Sequence, residues 1–486
     1  MRDAHPGPGM NMKKDKSTVA TRQRLRYIIA DYVAVNVAVL LFNIFRFFFI
    51  GRHDTPEGLE YYLMSETLVL EQIFFPIGML IIYGISGYYN NTLEKSRLSE
   101  LNQTVSGAVI GSLGIYLLAL INDPMSMRRH IYLLILILAL LLFGCTYAAR
   151  YALTSRTISM LKKRKLIYST LIIGNSPRSR RTYNTIKKSG SVWGHDVVGF
   201  LRIPGEKDAY DQRKVWDLED MEKICRQKRV DRIIISPAKN SDDTVMDILN
   251  KVFPLDIPVY IEPDTLGFIT SNIVLDDIMG LPMITLTSSR MSEWEKNVKR
   301  ITDIAVSAVA LLLLSPVLGI LAIAVKKSSE GPVFYRQERL GLRQKPFKII
   351  KFRSMRMNAE ENGPQLSNDC DTRVTRVGRF LRKYRLDELP QFWNVIKGDM
   401  SLVGPRPERA YFADRIVKQA PYYRLIHQVR PGITSWGMVK YGYASTVAQM
   451  VKRSQYDLLY INNMSLSMDI KIFIYTIRTV IKGSGV

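Results

Sequence analysis

Four dense apolar runs, at residues 27–49, 68–88, 105–121 and 130–149, crowd the first third of this 486-residue chain. Each reaches, or nearly reaches, the roughly 20 residues that a helix needs to cross a hydrocarbon core. They predict a four-helix transmembrane domain at residues 27–150, behind a basic cytoplasmic N-terminus at residues 1–26. Lys13, Lys14, Lys16, Arg22, Arg24 and Arg26 precede the first run, and Arg156, Lys162, Lys163, Arg164 and Lys165 follow the fourth. Basic flanks stay in the cytoplasm, so both ends of the domain are expected there, with Arg128 and Arg129 as the exception. Arg46 and Glu71 lie within the runs as groups that snorkel or pair.

The net charge of +24 calls for an acidic partner. Nucleic acid would serve. The apolar runs, however, already call for a lipid membrane, whose inner leaflet is anionic. A membrane, and no nucleic acid, is therefore expected. Cys145, Cys225 and Cys370 are far apart and form no CxxC pair. That argues against a disulfide framework or a zinc site and fits a reducing cytosol.

Residues 165–290 read as a soluble α/β domain. Strands are expected at 168–173, 197–201, 232–235 and 259–262, with helices at 179–188 and 217–228. Such alternation predicts a parallel sheet. The loop GNSPRSR, from Gly174, keeps only the first glycine of a GxGxxG dinucleotide fingerprint. Tyr183 and Lys187 make a YxxxK pair, but it follows the first strand too closely to serve a dehydrogenase. The domain is expected to be a degenerate Rossmann-like unit with a structural or regulatory role.

Residues 301–325 form a fifth apolar run, broken at Ser315-Pro316. Proline removes a backbone hydrogen bond and bends a helix. Lys296, Lys299 and Arg300 before the run, and Lys326 and Lys327 after it, both prefer the cytoplasm. A re-entrant helix and a kinked spanning helix both satisfy these residues. The following stretch, GPVFYRQERLGLRQKPFKIIKFRSM, predicts a hairpin with Lys351 and Arg353 on one face. That face suits a phosphate or a layer of lipid headgroups.

The richest segment is RKYRLDELPQFWNVIKGDMSLVGPRP, residues 382–407. Asp387 and Glu388 stand side by side, and Pro390 fits the first turn of a helix, near whose start anions are stabilised. Neighbours on a helix point about 100° apart. One carboxylate is therefore able to attack phosphorus while the other holds a metal ion, although plain helix capping also accounts for the pair. Arg406 and Arg430 each lie against prolines, as rigid phosphate clamps would. Residues 470–482 read as an amphipathic basic helix for the membrane surface.

The Ser-Pro break, KFRSM, the block at 385–407, RPGIT and YDLLYINNMSLSMD occur in one order from about Lys296 to the end. In this the chain resembles the bacterial polyprenyl-phosphate glycosyl-1-phosphate transferases. The resemblance implies a membrane protein, α plus α/β, with a monotopic catalytic domain at 296–486 and a re-entrant helix at 301–325 broken at Ser315 and Pro316. It implies that Asp387 is the nucleophile towards a UDP-sugar, forming an aspartyl-phosphosugar and releasing UMP. Undecaprenyl phosphate then takes the sugar phosphate, with Mg²⁺ held by Glu388; Lys351, Arg353, Arg406 and Arg430, read from the residues themselves, are the expected ligands of the substrate phosphates. Hexose-1-phosphate, from glucose or galactose, is the expected cargo, starting an O-antigen, capsule or exopolysaccharide. The implied location is the cytoplasmic face of the bacterial inner membrane, with a homodimer as the implied assembly. Ser435, where many members carry glycine, and VKYGYA, where VNG-type sequences are frequent, bear on the choice of donor sugar. Competing expectations are a nucleotide-sensing membrane scaffold and a nucleotide-sugar epimerase or dehydratase.

Overall fold

The computed structural model describes residues 12–51, 58–90, 92–93, 95, 97–119, 131–163, 166–205, 214–238, 242–255, 257–261, 275–278, 281–285, 291–356 and 371–481. Arg128, Arg129, Arg164, Lys165, Glu262 and Cys370, named above, lie outside them. The chain divides into two compact units, the first built from residues 1–167 and 190–194.

The first unit is helical. Its long helices are α1 (Met12–Arg46), α3 (Glu66–Ile85), α4 (Arg97–Ala119) and α5 (Ile131–Lys162), with a short α2 (Leu59–Leu63) between the first two. Three segments are long and apolar enough to cross a membrane: Thr18–Phe49, Glu66–Ile85 and Tyr132–Lys162. Among the described residues α4 does not meet that test. Its first turns carry Glu100, Asn102, Gln103 and Thr104, and the end of the expected run at 105–121 lies outside the description.

The apolar core of this bundle, with Val35, Val39, Met79, Leu138 and Leu142, encloses a polar cluster. Arg150 on α5 and Asp31 on α1 have no exposed surface, and two guanidinium nitrogens donate to the two carboxylate oxygens at 2.7 and 2.8 Å. A third nitrogen donates to Thr104 Oγ1 on α4 at 3.0 Å, and Tyr89 donates to Asp31 at 3.0 Å. The guanidinium also lies over the rings of Tyr83 and Tyr88, 4.1 and 3.6 Å from their centroids. One charge pair thus ties α1, α4 and α5 together. Hydropathy reading had singled out Arg46 and Glu71 instead, because it registers how apolar a run is and not which residues meet inside it.

The second unit contains a seven-stranded sheet in the order β3-β2-β1-β4-β5-β7-β6. Strands β1 (Tyr168–Ile173), β2 (His195–Arg202), β3 (Val215–Asp217), β4 (Arg232–Ile235) and β5 (Val259–Ile261) are parallel. Strands β6 (Leu275–Ile278) and β7 (Leu281–Thr285) close it with antiparallel pairings. Ile233 and Ile235 pack into one core, and Ile234 into another with Ile172, Ile186 and Phe200. Burial on both faces explains why these strands read as unbroken apolar runs. After β1 the chain turns at Gly174 (φ +120°) into α6 (Pro177–Trp193), and a Cβ there would sit 2.3 Å from the Ser236 carbonyl oxygen. This glycine is required where β1 passes close to the end of β4. Ser176 and Ser179, at the other two fingerprint positions, are buried, and Ser179 donates to Ser236 O at 2.6 Å.

Beyond the sheet, the fifth apolar run forms α9 (Glu293–Leu313) and α10 (Ser315–Ser328), bent by 64° at Leu314 (α7 and α8 are Met221–Gln227 and Asp242–Val252). Ser292 and Glu295 close a capping box at the start of α9. The polar face of α9 is bound into the fold. Lys299 pairs with Asp469 at 2.6 Å, and Asp303 accepts from Ser401 at 2.6 Å. Around the bend Val309, Leu312, Leu313, Val317, Ile320 and Ile323 are exposed.

Removing one member of a buried ion pair costs about 3–5 kcal/mol, whereas replacing both by apolar residues is close to neutral. Asp31→Leu alone should markedly lower the melting temperature of the detergent-solubilised protein. Asp31→Leu with Arg150→Leu should recover most of that loss. Equal losses in the single and double variants would show that the pair does not carry the packing of this bundle.

Candidate active site

The carboxylate pair sits on a tight turn. Helix α11 (Arg376–Lys383) is capped by Thr375, whose hydroxyl accepts from Gly378 N–H at 2.9 Å. At Gly378 a Cβ would meet Ser354 O at 2.0 Å, so the helix lies directly on the KFRSM segment. The chain then reverses at Arg385, in the left-handed region at φ 54°, and Leu386–Glu388 form one 3₁₀ turn. Pro390 is the residue that leads into α12 (Gln391–Lys397). The pair therefore lies just ahead of the expected helix, not in its first turn. In a 3₁₀ turn of three residues, successive side chains diverge even more than on an α-helix.

Asp387 and Glu388 are both buried. Lys351 Nζ, on the hairpin strand β9 (Pro346–Phe352) paired with β8 (Phe334–Leu340), donates to Glu388 Oε1 at 2.6 Å. Arg406 Nη2 approaches the same oxygen at 3.7 Å. Burial opposes the charge on Glu388, but Lys351, Arg406 and Arg385 outweigh it and hold this carboxyl well below the usual range. Asp387 moves the other way: burial and then the neighbouring Glu388 charge raise it, against Lys351 and Arg382. The result is one firmly ionised carboxylate beside a more basic, hence more nucleophilic, one.

The hairpin is brought to this turn by Asn394, a residue that no motif reading singled out. Its side chain accepts from Ile350 N–H at 3.0 Å and donates to Lys348 O at 2.9 Å, so it pairs with the edge of β9 as a strand would. Ser354 accepts from Arg382 Nε at 2.9 Å and so anchors a further cation near Asp387. Arg406 emerges where β10 (Ser401–Val403) pairs with β11 (Gly432–Thr434). Gly404 and Gly432 permit that crossing, since a Cβ on Gly432 would sit 2.1 Å from Gly404 N. Asp457 accepts from the Gly437 N–H at 2.9 Å. Ser435 itself caps α14 (Trp436–Lys440; α13 is Ala410–Gln419) by accepting from Met438 N–H. Tyr443, on the following loop, lies 5.2 Å from the Arg385 guanidinium and 5.5 Å from that of Arg406.

Two expected phosphate ligands do not join this group. Arg353 lies one residue beyond β9, and its Nη1 and Nη2 donate to the carbonyls of Glu330 and Ser329 at 2.9 and 2.6 Å, after the end of α10. It is a buried staple between the bent helix and the hairpin. Arg430 is exposed and donates to Gly398 O at 3.1 Å, at the opposite end of α12 from the dyad. Ser315 and Pro316 stand at the 64° bend, with Ser315 donating to Leu312 O at 2.8 Å. Among the described residues no three His, Cys, Asp or Glu side chains gather as a ready metal cage. Glu388, held ionised, suits a cation such as Mg²⁺ that takes its other ligands from water and a bound diphosphate.

Farther from the dyad, burial pushes His427 down to about 4 and Asp457 up to about 6. The signs oppose. A lowered histidine contributes stability above pH 6.5 that is lost as pH falls through about 4, whereas a raised carboxyl contributes stability below about 3.8 that is lost as pH rises through about 6. Each is worth roughly 3 kcal/mol at its limit. Asp457→Asn removes the compensating group. Its melting temperature should therefore fall more steeply than that of the unsubstituted protein between pH 6.5 and 4.5. Parallel slopes would contradict this assignment.

The family model for bacterial sugar transferases matches residues 294–483, which contain this whole site. A UDP-N-acetylgalactosamine-undecaprenyl-phosphate N-acetylgalactosaminephosphotransferase of Aeromonas hydrophila is 42% identical over 47% of this chain and 53% of its own length. A UDP-glucose:undecaprenyl-phosphate glucose-1-phosphate transferase of Escherichia coli K12 is 35% identical over 58% of this chain and 61% of its own length. The chain thus spans between half and two thirds of these longer relatives. The sugar transferase EpsL of Bacillus subtilis, uncharacterised, is 37% identical over 39% of this chain and 89% of its own length. With nearly all of that shorter relative aligned, and the family model seated over the dyad, this chain belongs to the bacterial sugar transferase family.

Proposed function

We propose that this protein transfers a hexose-1-phosphate from a UDP-sugar to undecaprenyl phosphate, releasing UMP, and so begins a surface polysaccharide. The observation that carries this reading is the buried Asp387-Glu388 turn, with Lys351 and Arg406 converging on Glu388. Glucose and galactose are the first donors to consider, and the name of the Aeromonas hydrophila relative adds N-acetylgalactosamine.

The steps follow from the residues. Lys351, Arg385 and Arg406 bind the anionic diphosphate and lower the repulsion that a carboxylate meets on approach. Asp387, kept basic by burial, attacks the sugar-linked phosphorus; an aspartyl-phosphate bond forms as the bond to UMP breaks. The phosphate of the lipid then attacks the same phosphorus, which frees Asp387 and leaves a diphosphate-linked lipid sugar. Splitting the transfer in two lets a water-borne donor and a lipid-borne acceptor use one site in turn. Glu388 would hold Mg²⁺, which when bound neutralises charge on the donor diphosphate.

The same reading puts a four-helix domain in the inner membrane, the catalytic part on its cytoplasmic face, and α9–α10 as a re-entrant pair in one leaflet. Basic flanks at both ends of the run, the 64° bend and the exposed apolar residues around it support this. A homodimer belongs to the reading as well.

Purified protein with Mg²⁺, undecaprenyl phosphate and each UDP-sugar in turn should release UMP from one donor. Asp387→Asn should lower that rate by ~10³-fold or more, while the variant still inserts and melts normally. Chelation of divalent cations should stop release, and added Mg²⁺ should restore it. Full activity in Asp387→Asn, or no UMP from a broad donor panel, would overturn the proposal.

A further inference from the structure

Tyr443 follows Gly442, which has φ +92°, on the loop after α14. The residue is 40% exposed although two guanidiniums lie beside its ring. One of them reaches the dyad, Arg406 lying 3.7 Å from Glu388 Oε1, and the other belongs to Arg385, the residue at which the chain reverses into the dyad turn. Among the described residues the buried Arg385 Nε has no hydrogen-bond partner, an orphan donor that an anion would satisfy. The groups thus form a row of contacts: Glu388 beside Asp387, then Arg406, then the ring of the exposed Tyr443, with Arg385 also against that ring.

That row has the order of a nucleotide-sugar. In phosphoryl transfer the leaving oxygen departs roughly in line with, and opposite to, the attacking one. The nucleotide must then lie beyond the attacked phosphorus as seen from Asp387. Its phosphate falls among the arginines and its base beyond them. A base offers a flat uncharged face, which aromatic rings stack upon and which neighbouring arginines reinforce. Resting on the transferase reading above, we infer that Tyr443 is the stacking platform for the nucleobase of the donor.

The test is calorimetry on the full-length protein in detergent with Mg²⁺. UMP is compared with ribose 5-phosphate, which has the phosphate and no base. Tyr443→Ala should weaken UMP binding by ~5- to 100-fold and leave ribose 5-phosphate unchanged, and Tyr443→Phe should bind both normally. Equal weakening of the two ligands would mean that the ring only holds the arginines, and would overturn the inference. So would unchanged UMP binding in Tyr443→Ala, including the case in which only the requirement for undecaprenyl phosphate rises, which would assign the ring to the lipid. Should Tyr443→Ala not fold, Tyr443→Leu serves in its place. UMP release from a UDP-sugar by the unsubstituted protein separates the two claims. Release with an unaffected variant defeats this inference alone, and no release defeats the transferase reading beneath it.

Discussion

Two adjacent carboxylates in a buried turn repel each other and lose hydration, and cations drawn from separate parts of the chain make the arrangement tenable. Glu388 receives Lys351 from the hairpin and Arg406 from the β10–β11 crossing. Each of those elements is in turn fixed by something that looks unrelated to chemistry. Asn394 binds the hairpin edge, and Gly404 and Gly432 let two strands touch. Much of the last third of the chain therefore serves to bring positive charge to one turn.

The bent helix pair is joined to that turn by the same means. Arg353 binds the carbonyls at the end of α10, and the segment it belongs to carries Lys351 on one side and Ser354 on the other. Lys299, Arg300 and Asp303 fasten α9 to the core around α12 and β10. Apolar residues around the bend and the charged turn are consequently parts of one hydrogen-bonded arrangement. That is what an enzyme needs if one substrate dissolves in water and the other in lipid.

Some of this was legible in sequence because it lies in short, local patterns. The apolar runs located three long helices and the bend at Ser315-Pro316, and the parallel strands at 168–173 and 232–235 declare themselves by apolar content. The dyad, Lys351 and Arg406 could be singled out by residue type. What sequence could not give was partnership. Lys351 and Arg353 look equivalent on a strand, yet one meets a carboxylate and the other two carbonyls. Arg406 and Arg430 share a proline-flanked pattern, yet they lie near opposite ends of α12. Asp31 and Arg150 are 119 positions apart and signal nothing until the helices pack. The antiparallel β6–β7 closure also went unread, because its strands are short and sit between segments with no clear period.

The central claim is that Asp387 becomes covalently attached to the sugar phosphate. The most direct measurement uses a UDP-sugar labelled at its sugar-linked phosphate, with Mg²⁺ and without acceptor lipid. The account predicts label retained on the protein in proportion to the UMP released, mapped to the peptide containing Asp387, and discharged when undecaprenyl phosphate is added. UMP released only together with the lipid, and no label on the protein at any time, would contradict it.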